Sequence, residues 1–218
     1  MTAVPPLADF DRCDRGLLTR LSELGASTVS DAMDRFGALD SQITTQWSGA
    51  RLVGSAFTVL TREGDNLAIH EALDLAAPGD VLVVNGGGDR NRALIGEMIG
   101  IKAKARGIAG FVLDGAARDI DALRDLGVPV FARACTPAGP HKRGPFRLLE
   151  PIAAGGVCVC PGDAVIADRH GVTVVGRAHV GQTVDRASQI AANGPLACPK
   201  DAGRGVASRF IETTRRLL

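Results

Sequence analysis

Apolar residues recur at helical spacing in some stretches of the chain and form short β-branched runs in others. Leu17, Leu18, Leu21 and Leu24 share one side of a helix over residues 16–24. A second helix is expected from Ser27 through Phe36, capped by Ser27 or Thr28 and stopped by Gly37. Residues 46–60 read as strand material interrupted by Gly49 and Gly54, which suggest bends or bulges in a strongly curved sheet. Leu67, Ile69, Ala72, Leu73 and Leu75 mark a helix over 65–75, and Pro78-Gly79-Asp80 is a tight turn. Two β-branched runs follow, residues 81–84 and 110–113, with a Gly-rich turn and a helix between them. Beyond them come a helix over 120–126 closed by Gly127, a strand over 128–132 beginning near Pro129, and an exposed loop over 136–145. Residues 152–159 and 164–167 read as strands joined by Pro161-Gly162-Asp163, and Asp168–Gly171 is a turn into the strand 172–175. Residues 178–218 are mostly helical and end in an amphipathic, Arg-rich segment.

A βαβ run followed by several short strands predicts an α/β fold with a mixed β layer. At 218 residues the chain is expected to be a single domain, with an N-terminal arm over 1–15 that reaches a neighbouring subunit and a C-terminal helical segment over 180–218. Composition narrows the choice. Hydrophobic residues make up 45% but aromatics only 4%, with no Tyr, so the core must be built from Val, Leu, Ile and Ala, as in a sheet buried on both faces. A formal charge of +1 and few aromatics argue against nucleic-acid binding by charge or by base stacking. No apolar run approaches a membrane span, and five cysteines without a CxxC pair or a secretory signal point to a reducing, cytoplasmic setting. Cys158 and Cys160, two apart, are expected on one buried strand face.

The candidate chemistry sits in the βαβ unit, residues 79–119, because ligands of α/β folds lie outside the carboxyl ends of parallel strands. Gly86, Gly87 and Gly88 can bring backbone N–H groups close to a small anion, and a helix starting soon after would add its own N-terminal amides. The turn is neither a Walker A loop nor a dinucleotide fingerprint, and it serves structure as readily as binding. Arg118 can hold a carboxylate with two parallel bonds, and Asp119 can hold a hard cation such as Mg²⁺. Glu97 can orient a water. Together these groups suit a 2-oxo acid, and an Arg–Asp or Arg–Glu surface ion pair is the alternative.

The spacing also carries a resemblance. An acidic residue, Glu97, is followed by twenty residues and then Arg118-Asp119. With NGGGDRNRALIGEMIGIKAKARGIAGFVLDGAARD, TPAGPHKRGP, GGVCVCPGDAVIADRHGVTVV and STVSDAMDRFG, the chain resembles the family of the regulator of ribonuclease E activity A and the class II 4-hydroxy-4-methyl-2-oxoglutarate / 4-carboxy-4-hydroxy-2-oxoadipate aldolases. The resemblance implies an α/β/α sandwich related to swivelling phosphohistidine domains, assembled as trimers or dimers of trimers. It implies Asp119 as the ligand of Mg²⁺ or Mn²⁺, and Arg118 on the pyruvoyl part of the substrate. Glu97 would orient water, Met98 and Ile99 amides would take the carboxylate, and Gly86 to Gly88 would shape the pocket floor. It implies retro-aldol cleavage to pyruvate, with oxaloacetate decarboxylation alongside. For the base the resemblance leaves two candidates open, Glu97 through a metal-bound water and an acid from a neighbouring subunit. Glu97 departs from the family, whose aldolases often carry Asp there. A non-catalytic regulator of ribonuclease E is the other function the resemblance implies.

Remaining polar residues have plainer readings. Asp31 and Asp34 read as solvated acids of a first helical turn, and Asp163 and Asp168 as turn acids. His70 is placed on a helix at the surface or an interface. Asp89 and Arg90 follow the glycines, and His141, Lys142 and Arg143 form a basic loop that could meet a second substrate carboxylate.

Overall fold

The computed structural model describes residues 8–193. Of the expected N-terminal arm, residues 8–14 are described, and they are engaged by their own chain. The Ala8 amide donates to Leu75 O at 2.8 Å, Phe10 meets Phe57 edge-on, and Arg12 clamps Asp80 through bonds of 2.8 and 2.9 Å. Helix α1 (Arg15–Leu24) starts where the Asp14 carboxylate accepts the Leu17 amide. Helix α2 (Ala26–Ala32) is shorter than expected, and neither Ser27 nor Thr28 caps it. The Ala26 amide instead donates to the Asp168 carboxylate at 3.0 Å, so a distant segment does the capping. Turns with Asp34 and Arg35 at positive φ carry the chain on to Gly37. Asp34 pairs with Arg186 at 2.7 Å.

The strands are β1 (Thr44–Thr45), β2 (Leu52–Thr61), β3 (Asp80–Asn85), β4 (Ala93–Ile95), β5 (Gly110–Ala117), β6 (Val130–Cys135), β7 (Phe146–Leu148), β8 (Ile152–Ala154), β9 (Val157–Val159), β10 (Ala164–Asp168) and β11 (Gly171–Val175). Between them lie α3 (Leu67–Leu75), α4 (Glu97–Ala105) and α5 (Ile120–Leu126), and α6 (Val180–Asn193) closes the described chain. The main sheet runs β1-β6-β5-β3-β2-β10-β11, with β4 beside β5 and β7 beside β2. β2, β3, β4, β5 and β6 pair in parallel, and β1, β7, β10 and β11 are antiparallel to the strands beside them. β2 runs unbroken through Gly54, and Gly49 lies in the turn before it.

Alternation along the strands sorts the core. Phe57, Leu82, Val84, Phe111 and Leu113 face α3, α4 and α5. Ala164, Ile166 and Val175 pack with Leu21, Val29 and Val184 of α1, α2 and α6. The residues between them, Val81, Val83, Val112, Phe131, Val165 and Val172, point to the opposite face and meet Leu39, Ile43 and the β8–β9 hairpin. The sheet curls until it is nearly closed, so two helical groups flank a mixed sheet that carries its own interior. This is the expected α/β class with its mixed layer.

One short segment spans the gap between the sheet's two ends. Leu39 N donates to Val172 O and Gly37 O accepts from Val174 N on β11, while Thr44 and Thr45 pair with Ala132 and Phe131 on β6. Two further expectations change. Residues 152–159 are a hairpin turned at Gly155-Gly156, both at positive φ, not one strand. Cys158 is exposed and Cys160 half-buried, because the hairpin turns that face outward. The Arg-rich C-terminal segment expected beyond residue 193 lies outside the described residues. Among the described residues no helix is long and apolar enough to cross a membrane.

Candidate functional site

The site is built where β5 ends. The Arg118 amide donates to Ile95 O of β4 at 3.0 Å, and the next residue, Asp119, adopts φ 54°, ψ 42°. That left-handed conformation is sparsely populated by non-glycine residues, and Asp is among those that tolerate it. The turn swings the Asp119 carboxylate away from α5 and onto the start of α4. Its Oδ2 accepts the Glu97 amide at 3.1 Å and lies 3.4 Å from Arg118 Nε. Gly96 makes this possible: a Cβ there would overlap Asp119 Oδ2 and stand 2.9 Å from Arg118 Cγ.

Arg118 lines a cleft of about 120 Å³ together with Gly96, Met98, Ile99, Lys142, His70 and Asn66. Four separate segments meet here: the β4–α4 junction, the end of β5, the first turn of α3, and the loop 136–145. The Ile99 amide is bonded to Gly96 O at 3.1 Å, whereas no acceptor meets the Met98 amide among the described residues. Glu97 is exposed in the first turn of α4, beside the cleft.

The glycine turn lies elsewhere. The Gly86 and Gly88 amides both donate to Asp114 O at 3.1 Å, and the Gly87 amide donates to Asn85 Oδ1 at 2.8 Å. Strand β4 intervenes between this turn and α4. Gly86, Gly87 and Gly88 are therefore not among the residues that line the cleft, and their N–H groups hold the turn itself. Asp89 folds onto Asn91, and neither Asp89 nor Arg90 lines the cleft. Beneath the turn, Arg133 is bonded to Asp114 and, at 2.7 Å, to Asp40. Each carboxylate raises the Arg133 pKa, that of Asp114 most, and Arg133 lowers that of Asp40.

Lys142 reaches the cleft because a buried carboxylate fastens its loop. Asp65 accepts the amides of Arg143, Gly144 and Leu67 at 2.7, 3.1 and 3.0 Å. Burial works to raise the Asp65 pKa, but these bonds and the nearby Arg62 leave it below the usual value. His141 N and O bond Gly64 and Asn66 across the same join. Asp65 and Asn66, just before the apolar run of α3, read in sequence only as a helix start. Asp163 and Asp168 are turn acids as expected, each accepting backbone amides.

Asp119 offers a hard oxygen donor, 43% exposed, at the rim of the cleft. That fits Mg²⁺ or Mn²⁺ held by one carboxylate with waters and substrate completing the shell. It does not fit a cage made wholly of side chains: among the described residues no cluster of three or more His, Cys, Asp or Glu could hold a metal. A larger cleft of about 470 Å³ lies near Arg51, Asp168 and His170.

The chain is similar to known proteins. A family model described as RraA-like, Aldolase/RraA, matches residues 26–174. A protein of Halalkalibacterium halodurans, called "Putative 4-hydroxy-4-methyl-2-oxoglutarate aldolase", is 42% identical over 158 residues, 72% of this chain and 75% of its own. One of the same name from Ectopseudomonas mendocina is 37% identical over 67% of this chain and 90% of its own. Among solved structures, Streptomyces coelicolor RraAS2, described as an unusual member of the RNase ES inhibitor RraA protein family, superposes with a TM-score of 0.74 at 28% identity. The match covers 95% of this chain and 99% of that one.

Proposed function

This chain belongs to the Aldolase/RraA family, and from that premise we propose that it is a divalent-metal-dependent lyase of 2-oxo acids. Its substrate is 4-hydroxy-4-methyl-2-oxoglutarate or 4-carboxy-4-hydroxy-2-oxoadipate, cleaved to pyruvate and a second 2-oxo acid, and oxaloacetate is decarboxylated as a side activity. The observation that carries this reading is the junction at Gly96, which sets the Arg118 guanidinium, the unbonded Met98 amide and the Asp119 carboxylate around one cleft.

The residues divide the work. Met98 N–H, at the positive end of α4, and the two-pronged Arg118 guanidinium hold the substrate carboxylate and its neighbouring oxo group. Mg²⁺ or Mn²⁺ on Asp119 would supply Lewis-acid polarisation of those oxygens. As the C3–C4 bond breaks, negative charge gathers on the oxo oxygen and Arg118 faces it. Glu97, at the mouth of the cleft, takes the C4 hydroxyl proton through a water. Lys142 meets the distal carboxylate. With oxaloacetate the same groups act and CO₂ is the leaving group.

The test is purified protein with oxaloacetate and Mg²⁺, following pyruvate, with Asp119→Ala as control. Metal-dependent turnover that Asp119→Ala abolishes is expected. No metal-dependent turnover of oxaloacetate or of either hydroxy-oxo diacid would sink the reading. The near full-length likeness to Streptomyces coelicolor RraAS2 supports a second reading, a regulator of a ribonuclease E-type enzyme. Inhibition of such a nuclease that survives Asp119→Ala would favour it. For either role we propose a cytoplasmic homotrimer or dimer of trimers, with no nucleic-acid or membrane partner, to be read by light scattering on the purified protein.

A further inference from the structure

Two buried polar atoms, on residues that line the Arg118 cleft, have no partner among the described residues. Asn66 is 4% exposed, and its Nδ2 donates to Leu94 O at 3.0 Å. That bond fixes which way the amide points and leaves Oδ1 as a buried acceptor with nothing to accept. Four residues on, His70 Nε2 is also buried and unbonded. Residues four apart at the start of a helix lie one above the other on the same face, here the face of α3 that lines the cleft with Arg118 and Lys142. Unpaired polar atoms out of contact with water are costly, and a ligand that satisfies both recovers that cost.

The missing ligand atom is constrained by what each side offers. Asn66 Oδ1 can only accept, so the ligand must donate to it. A keto or carboxylate oxygen cannot. The His70 imidazole is kept neutral by burial, with Lys142 and Lys102 acting in the same direction and Asp74 and Glu71 against it. Its Nε2 can therefore carry a single hydrogen toward the cleft. A hydroxyl donates and accepts at one oxygen, and so serves both atoms at once.

We propose that Asn66 Oδ1 and His70 Nε2 form a hydroxyl-recognition subsite, in which a ligand hydroxyl donates to Asn66 and accepts from His70. Arg118 and Lys142 supply the cationic flanks, so the ligand class is a hydroxylated oxo acid rather than a plain one. The ligand class rests on the lyase reading; the hydroxyl requirement rests on the two unpartnered atoms. Both residues touch the ligand at a carbon beyond the 2-oxo group, and they set specificity rather than metal binding. This is the binding pose: for cleavage the hydroxyl hydrogen turns from Asn66 Oδ1 to the water on Glu97, while the oxygen keeps its bond from His70.

The experiment measures binding without turnover. Calorimetric titration in EDTA compares 4-hydroxy-4-methyl-2-oxoglutarate with 4-methyl-2-oxoglutarate, which lacks only the hydroxyl. Wild type should prefer the hydroxylated ligand by at least about 10-fold. His70→Phe should reduce that preference to less than about 3-fold, and His70→Gln, which restores an N–H near Nε2, should recover most of it. The His70 Nε2 resonance, identified among four histidines by its loss in His70→Gln, should move with the hydroxylated ligand and stay put with the other. Equal affinities in wild type, a preference untouched by His70→Phe, or no binding of either ligand overturns the subsite. A hydroxyl preference without metal-dependent turnover would keep the subsite and remove the lyase; turnover without the preference would do the reverse.

Discussion

The Glu97 amide donates to the Asp119 carboxylate across the β4–α4 junction, at 3.1 Å. The residue proposed to hold the metal therefore also satisfies a first-turn amide of the helix that carries Glu97 and Met98. These two duties can be separated by substitution. Asp119→Asn keeps an acceptor and tolerates the left-handed backbone, so stability should change by less than about 0.5 kcal/mol. Asp119→Ala loses the acceptor and strains the backbone, and should cost about 1–2 kcal/mol. Both should lower oxaloacetate decarboxylation by about 100-fold or more. Urea unfolding beside pyruvate release measures the split.

Gly96 is extended, at φ −158° and ψ −164°, so its backbone would accept any residue. Only space forbids one, because a Cβ would press on Asp119 Oδ2 and on Arg118 Cγ and Nε. Gly96→Ala should leave the fold intact by circular dichroism while lowering kcat/KM by at least about 10-fold, since small displacements of positioning groups are expensive in rate.

Asp65 ties the Lys142 loop to the first turn of α3, and its pKa is lower in the folded protein. A carboxylate lowered on folding contributes stability that is fully present above its unfolded value, near 3.8, and is lost as pH falls through the lower folded value. Asp65→Asn should cost about 2–3 kcal/mol at neutral pH, because amides of Arg143, Gly144 and Leu67 lose a charged acceptor. The difference between wild type and variant should shrink as the titration is carried below pH 4. A difference that stayed constant down to pH 2 would contradict this assignment.

Arg133 sits with Asp114 and Asp40 under the glycine turn, 12% exposed. Arg133→Ala leaves the buried Asp114 carboxylate without its cation, and should cost about 3–5 kcal/mol. The same substitution should affect kcat/KM for oxaloacetate far less than Gly96→Ala does, because the glycine turn is not part of the cleft. Comparing the two variants at a temperature where both are folded checks this.

What was readable in the sequence follows physical range. The strands around residues 81–84 and 110–113 were legible because buried parallel strands are continuous apolar runs between Gly and Pro signals. Arg118 and Asp119 stood out because their types and spacing imply chemistry wherever the chain goes. The cap of α2 was not legible: its acceptor, Asp168, is 142 residues from Ala26. Nor was the use of the glycine amides: those of Gly86 and Gly88 go to the Asp114 carbonyl of a neighbouring strand, and that of Gly87 to the Asn85 side chain. Asn66 and His70 carry no motif at all. What singles them out is the absence of a partner, and a sequence does not display absences.

The segment from Gly37 to Gln46 bonds β11 at one end and β6 at the other. Those are the two strands whose outer backbone edges would otherwise stand open in the main sheet. An open edge is a template on which another chain can extend the sheet. With both ends occupied by ten residues of its own, this protein leaves little backbone for such growth. A copy that added a strand at either of these two edges would first have to displace this segment, so the chain itself guards the ends of its main sheet.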